Sequence, residues 1–344
     1  MLRMLIALIL SAAVVLVSGP KVIPALRRLK FGQTIYDLGP QSHKAKQGTP
    51  TMGGVMIVSG TVLAAVLCTI GTPAWGFMLP LVLMSVGSMA VGFADDYVKV
   101  VKKRSEGLTP KQKIVCQMVV CVAFSVYCYC HPHIGSKIII PFVNVEWDLG
   151  VFYIPLLSLT ILFMINSANL QDGLDGILST VTAVGNVAWA GIAVMFMTAV
   201  AAADAVLAAE YQSVAIYAMA LCGACIGFLR FNRYPATVFM GDTGSEYIGG
   251  AVVGMAMLLR QPALLLLITF TMVASSVSVI IQRYYYKATR KIYGEPRRLF
   301  KMTPVHHHFE LSGYKETQIV KGYGICTAIL ALIAILSVIG LKLV

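Results

Sequence analysis

Apolar runs close to the ~20 residues that an α-helix needs to cross a bilayer recur along the whole of this chain. Ten are apparent, over 2–23, 52–70, 75–94, 114–130, 151–165, 177–197, 211–229, 236–259, 262–281 and 322–343. Lipid offers a backbone amide no hydrogen-bond partner, so runs of this length close their bonds internally, as helices. The predicted fold class is therefore an all-α integral membrane protein with ten transmembrane helices, forming a single domain over 1–344. Only 12% of the residues are charged, where a soluble domain carries about a quarter. The fifth run is short, and the eighth is interrupted by a polar segment around Asp242. The first has Arg3 near its start, as a signal peptide would. It is long, lacks a small-x-small cleavage pattern and runs into Lys21 and Arg27-Arg28, so it reads as a retained helix.

Basic residues then orient the bundle. Of 27 Lys and Arg, 23 fall in the odd-numbered connections between runs, and only Arg3, Lys137, Arg260 and Lys342 lie elsewhere. The positive-inside rule places the odd connections in the cytoplasm and both termini outside. The net charge of +12 is thus largely topology, with a share left to attract anionic lipid or phosphates, and needs no nucleic-acid partner. The eight cysteines, including the Cys222-Gly-Ala-Cys225 pair, sit mostly in apolar helix and read as small packing residues. One extracytoplasmic insertion, 131–150, contains an apolar-rich stretch predicted to form a short hairpin.

Five aspartates stand out at the edges of the apolar runs: Asp95 and Asp96, Asp172 and Asp175, and Asp242. A carboxylate at the edge of hydrocarbon is costly unless it lines a wet cavity or holds a partner. All five fall on the predicted cytoplasmic side, and together they suit one job: holding a cation and handling a phosphorylated substrate at a membrane surface. Adjacent acids on a helix point about 100° apart, so Asp95 and Asp96 can take separate roles, one binding metal and one acting as a base. Asn166, Asn169 and Asp172 are spaced by three and become neighbours on a helix. Asp172-Gly-Leu-Asp175-Gly can equally be an N-cap and turn. Asp242 lies between Gly241 and Thr243-Gly244 in a break where non-helical backbone would line a cavity. Lys46 and Thr51, in a glycine-rich stretch, are phosphate-contacting candidates. His306, His307 and His308 lie in a basic loop and cannot all bind one metal, because consecutive side chains diverge.

These motifs occur together and in order: Gly48-Thr-Pro-Thr-Met-Gly-Gly54, Phe93-Ala-Asp-Asp96, Asn169-Leu-Gln-Asp-Gly-Leu-Asp-Gly176, Phe239-Met-Gly-Asp-Thr-Gly-Ser245 and Pro304-Val-His-His-His-Phe-Glu310. On them, over nearly the full chain, the sequence resembles the MraY-type phospho-N-acetylmuramoyl-pentapeptide-transferases of the polyprenyl-phosphate N-acetylhexosamine-1-phosphate transferase superfamily. The resemblance implies ten transmembrane helices around a cytoplasmic-side cleft, both termini extracytoplasmic, a homodimer and a multi-pass location in the bacterial cell membrane, with the active site facing the cytoplasm. It implies transfer of phospho-MurNAc-pentapeptide from UDP-MurNAc-pentapeptide to undecaprenyl phosphate, giving lipid I and UMP, with Mg²⁺ as cofactor. It further implies Asp242 as principal metal ligand with Asp95 beside it, Asp96 as a candidate base and His306 as a catalytic candidate. Asn169, Asp172 and Asp175 fall near the nucleotide and Phe239 on the uracil, with Asn166 of the same array a further substrate-binding candidate. Lys46, Lys99 and Lys111 neutralise phosphates, Gln282 lies near the nucleoside–sugar pocket, and His307 and His308 contact donor phosphate or sugar. Direct attack by the lipid phosphate and a two-step route through a phosphorylated aspartate both remain open. A GlcNAc-1-phosphate transferase of the same superfamily would keep the aspartates and change the sugar pocket. A cation-coupled transporter would place acids near the membrane midplane in repeated halves, whereas these cluster at one face.

Overall fold

The computed structural model describes residues 1–28, 48–101 and 107–340; Lys46 lies outside them. Apart from one β-hairpin, the regular structure of the described residues is all helix. Among the described residues, seven helices are long and apolar enough to cross a membrane. They are α1 (Leu2–Arg28), α3 (Trp75–Val101), α4 (Pro110–Cys130), α5 (Tyr153–Gln171), α6 (Ile177–Val200), α7 (Ala205–Asn232) and α12 (Glu316–Ser337). The ninth predicted run is broken: a turn over Pro262–Leu264 and α9 (Leu265–Ile268) meet α10 (Phe270–Tyr293) at a bend of 87°, and counting the pair as one span makes eight. The other two runs form the shorter α2 (Gly54–Thr69) and α8 (Gly241–Leu258). A short α11 (Val305–Glu310) carries the three histidines.

Burial explains the arrangement. In α8 every residue from Thr243 to Leu258 is buried. It is surrounded by protein, packing chiefly against α3 and α5; Gly250 and Gly254 let α3 come close and Gly249 does so for α5, while Gly244 faces Gly54 at the start of α2. In α1, α4 and α12 only 28% of the apolar window is buried, so these helices turn most of their surface outward to lipid. Aliphatic side chains are as much at home in lipid as in a protein core, which is why outer and inner helices look alike in sequence.

The two ends of the bundle differ. At one end the hairpin of β1 (Lys137–Ile140) and β2 (Val145–Asp148) forms where the sequence predicts it. Ile139 N–H donates to Arg260 O at 2.8 Å and Phe142 N–H to Ser337 O at 3.1 Å, which ties the hairpin to the ends of α8 and α12. Arg3 donates to the carbonyls of Cys68 and Ile70 at 2.9 and 3.0 Å. Glu210 accepts from Gly76 and Phe77 N–H at 2.9 and 2.6 Å, satisfying free amides at the start of α3. Both terminal helices therefore have their outer ends on the hairpin side. The end of α3, the starts of α4, α6 and α8, and the ends of α5 and α7 meet at the opposite side, where the aspartates lie.

Candidate active site

The site is assembled from helix ends. The 50–54 segment is laced to 239–240: Phe239 N–H donates to Pro50 O at 2.8 Å, Gly53 N–H to Phe239 O at 2.9 Å and Gly54 N–H to Met240 O at 2.9 Å. Gly54 lies so close to Gly244 that a methyl group there would collide with backbone. Gly241 opens α8 with φ +72°, and a Cβ on it would sit 2.6 Å from Asp96 Oδ2 and 2.7 Å from Thr51 Oγ1. Both glycines are demanded by close approach, and Gly241 also by backbone conformation. Asp96 is nearly fully buried and pins the same turn, its Oδ2 accepting Thr243 N–H at 2.9 Å and Thr243 Oγ1–H at 2.7 Å.

Asp242 projects from this turn into the cluster. Its Oδ2 accepts from Lys99 Nζ at 3.1 Å and Lys113 Nζ at 2.7 Å, and its Oδ1 from Asn169 Nδ2 at 2.8 Å. Lys99 also pairs with Asp95 Oδ2 at 2.6 Å, and Lys113 with Glu246 Oε1 at 2.8 Å. Asp95 Oδ1 accepts Leu108 N–H at 2.8 Å. One carboxylate oxygen from each of Asp95, Asp96 and Asp242 lies within 4.8 Å of the others, the right grouping for a metal ion. These are hard oxygen donors, suited to Mg²⁺. With every side chain ionised, Asp95, Asp96, Asp242 and Glu246 face two ammoniums, Lys99 and Lys113. Two negative charges are left over, matching one divalent cation.

Beside the cluster lies a cavity of about 320 Å³, lined by Thr51, Asn169, Asp172, Asp175, Phe239 and His307 among others. Asp172 follows the last residue of α5, Gln171. Burial, reinforced by the negative charges of Asp242, Asp96 and Asp175, pushes its carboxyl up to about 8. Asp175 Oδ2 accepts Ala236 N–H at 2.9 Å, while Asn232 accepts Gly176 N–H at 3.1 Å and donates to Val238 O at 3.0 Å. These bonds fix the 233–240 loop and with it Phe239 at the cavity wall.

Several predicted residues have other occupations. Asn166 does not line the cavity; its amide donates to Gln117 Oε1 at 3.0 Å and Leu162 O at 2.8 Å. Gln282 accepts Leu299 and Phe300 N–H at 3.0 Å each and donates to Phe300 O at 3.1 Å, so it clamps the chain that leads to α11. The histidines diverge as their spacing requires. His306 is fully buried against Gly173; His307 lines the cavity and meets Glu310 Oε2 at 3.1 Å; His308 accepts Lys301 N–H at 3.1 Å. Lys111 is exposed, and Lys113 reaches the acids in its place. Two residues along a helix is about 200°, so only one of these lysines can face the cluster. Glu246 carries no sequence signal of its own, but it stands four residues after Asp242 and hence on the same helix face.

Comparison with known proteins places the chain. A model of the glycosyl transferase family 4 matches residues 78–260, the stretch holding all five aspartates. The phospho-N-acetylmuramoyl-pentapeptide-transferase signature 1 matches 46–58. A phospho-N-acetylmuramoyl-pentapeptide-transferase of Clostridium novyi (strain NT) is 40% identical over 339 residues, covering 98% of each chain. The chain belongs to this transferase family. Another member, from Acetivibrio thermocellus, is 42% identical over 328 residues, covering 94% of this chain and 92% of its own. One from Caldicellulosiruptor bescii is 39% identical over 339 residues. The family match spans the membrane helices and the aspartate cavity together, so the cavity is the candidate active site of a membrane-embedded transferase.

Proposed function

We propose that this protein transfers phospho-MurNAc-pentapeptide from UDP-MurNAc-pentapeptide to undecaprenyl phosphate, forming lipid I and releasing UMP for peptidoglycan synthesis. The observation that carries this reading is the grouping of Asp95, Asp96 and Asp242 oxygens within 4.8 Å, with two lysines, beside a polar cavity. In the reaction an oxygen of the lipid phosphate forms a bond to the sugar-linked phosphorus. The pyrophosphate P–O bond breaks, and its electron pair leaves on UMP. Attacking and attacked groups are both anionic, so positive charge has to be concentrated where they meet.

Lys99 and Lys113 supply part of that charge from positions fixed by carboxylates. Asp242 and Asp95 would hold Mg²⁺, which when bound supplies Lewis-acid stabilisation of the pyrophosphate. Asp96, tied to Thr243, holds the α8 turn that presents Asp242 and remains the candidate base. Phe239 offers a ring for uracil at the cavity wall, and Asn169 and Asp172 offer polar partners for the nucleotide. His307 is the histidine best placed to meet donor phosphate or sugar, while His306 and His308 act through the position of α11.

In the same reading the chain is one polytopic domain with ten membrane segments, α2, α8 and the bent α9–α10 pair included, and it works as a homodimer in the bacterial cell membrane. The basic connections face the cytoplasm, where a nucleotide-linked donor is made, and both termini face outward. The test is a radiolabelled transfer assay with purified protein, Mg²⁺ and undecaprenyl phosphate. Label passes to lipid from UDP-MurNAc-pentapeptide and not from UDP-GlcNAc. Preference for UDP-GlcNAc would move the protein to another branch of the superfamily, and no dependence on the lipid acceptor would end the transferase reading.

A further inference from the structure

Glu246 has a fully buried side chain on α8, at the heart of the bundle, yet the only charged atom the structure puts against it among the described residues is Lys113 Nζ, at 2.8 Å. A buried carboxylate is tolerated only when paired, and removing either partner of such a pair is costly. The pairing could serve packing alone, but Lys113 does not belong to Glu246 exclusively. The same ammonium lies 2.7 Å from Asp242 Oδ2. Lys99 is shared in the same way, between Asp242 at 3.1 Å and Asp95 at 2.6 Å. Asp242 thus stands between two lysines, each of which has a second carboxylate behind it.

This pattern matters once a cation arrives. A divalent ion taking the oxygens of Asp242 competes with both ammoniums for them. Lys99 then keeps Asp95 and Lys113 keeps Glu246. Without Glu246, Asp242 would be the one carboxylate left to Lys113 among the described contacts, and the lysine would act as a competitor for the metal ligand. We propose that Glu246 is a positioning residue: it holds Lys113 so that Asp242 is released to the cation while the ammonium stays beside the reacting phosphates. The proposal rests on the reading of Asp242 as metal ligand. It assigns a task to a buried acid outside the cavity lining, and explains why α8 carries a carboxylate one turn inside its apolar stretch.

The test uses Mn²⁺ as probe, with free Mn²⁺ followed by electron paramagnetic resonance during titration of the purified full-length protein. Wild type is compared with Asp242→Asn, Glu246→Gln, Lys113→Met and the Glu246→Gln/Lys113→Met double variant. Glu246→Gln keeps shape and volume and should weaken Mn²⁺ binding about fivefold or more, the low end of ordinary coupling between sites. In the Lys113→Met background the same substitution should change binding by less than about twofold, because the competitor is gone. Glu246→Asp, which keeps the charge, should recover at least part of the loss and provides a folded control if the glutamine variant unfolds. Equal Mn²⁺ binding by wild type and Glu246→Gln overturns the proposal. So does an undiminished Glu246→Gln effect in the Lys113→Met background, which would mark a general charge or packing effect. Unchanged binding by Asp242→Asn would instead defeat the metal-ligand reading beneath it.

Discussion

Asp172 shows how a single residue reports on the charge of its surroundings. Its carboxyl is pushed from 3.8 up to about 8 by burial and by three neighbouring acids. A raised acid binds its proton more tightly in the folded than in the unfolded chain. Between pH 4 and 8 the folded state therefore keeps a proton that the unfolded state has lost, and stability falls as pH rises through that window. Asparagine resembles the protonated acid at every pH. In metal-free protein, Asp172→Asn should raise the melting temperature by an amount that grows from pH 4 to pH 8 and levels off above. A Tm difference that stays flat across that range would remove the raised carboxyl. The five aspartates were legible in the sequence because hydrocarbon makes charge conspicuous. Lys113 and Glu246 were not, since their importance arises only when α4 and α8 come together. Lys111, expected beside substrate phosphates, is exposed, and the lysine that reaches the acids is Lys113: the phase of a helix start cannot be read until the helix is packed.

At the scale of elements, the helix ends do the work and the apolar middles hold them in place. Hydropathy found the outer helices well, because lipid-facing length is a direct physical demand. It was less exact for α8, whose first turns carry Asp242 and Glu246 and whose apolar face is satisfied by neighbouring helices rather than lipid. The ninth run read as one span, and its 87° bend was not visible in hydropathy alone. In α11 the three consecutive histidines point to three environments, as the 100° step requires, and this ranks their substitutions. His307→Ala should lower kcat/KM about tenfold or more, roughly the loss of one charge-assisted hydrogen bond. His306→Ala, made in a fully buried side chain, should show mainly as a lower melting temperature. His308→Ala should have an intermediate effect by loosening the bond to Lys301. Steady-state kinetics with parallel melts separate the three, and a uniform response would remove α11 from the donor site.

For the whole molecule, the basic asymmetry of the sequence and the geometry of the bundle point the same way. The aspartates gather at the end carrying the basic connections, and the hairpin and both terminal helices' outer ends lie at the other. The orientation predicts that, in a background with the eight native cysteines replaced, an impermeant maleimide added outside the cell labels a C-terminal cysteine and spares Lys315→Cys. The reverse labelling would invert the topology.

Asp242 stands at the meeting point of four helix ends and two lysines, and transfer is expected to depend on it above any other side chain. Asp242→Asn, purified and shown by its melting curve to be folded, should lose about a hundredfold or more of its transfer rate from UDP-MurNAc-pentapeptide to undecaprenyl phosphate. It should also lose the steep dependence of that rate on Mg²⁺. A folded Asp242→Asn enzyme with near-normal turnover at limiting Mg²⁺ would show that neither the metal nor the transfer depends on Asp242.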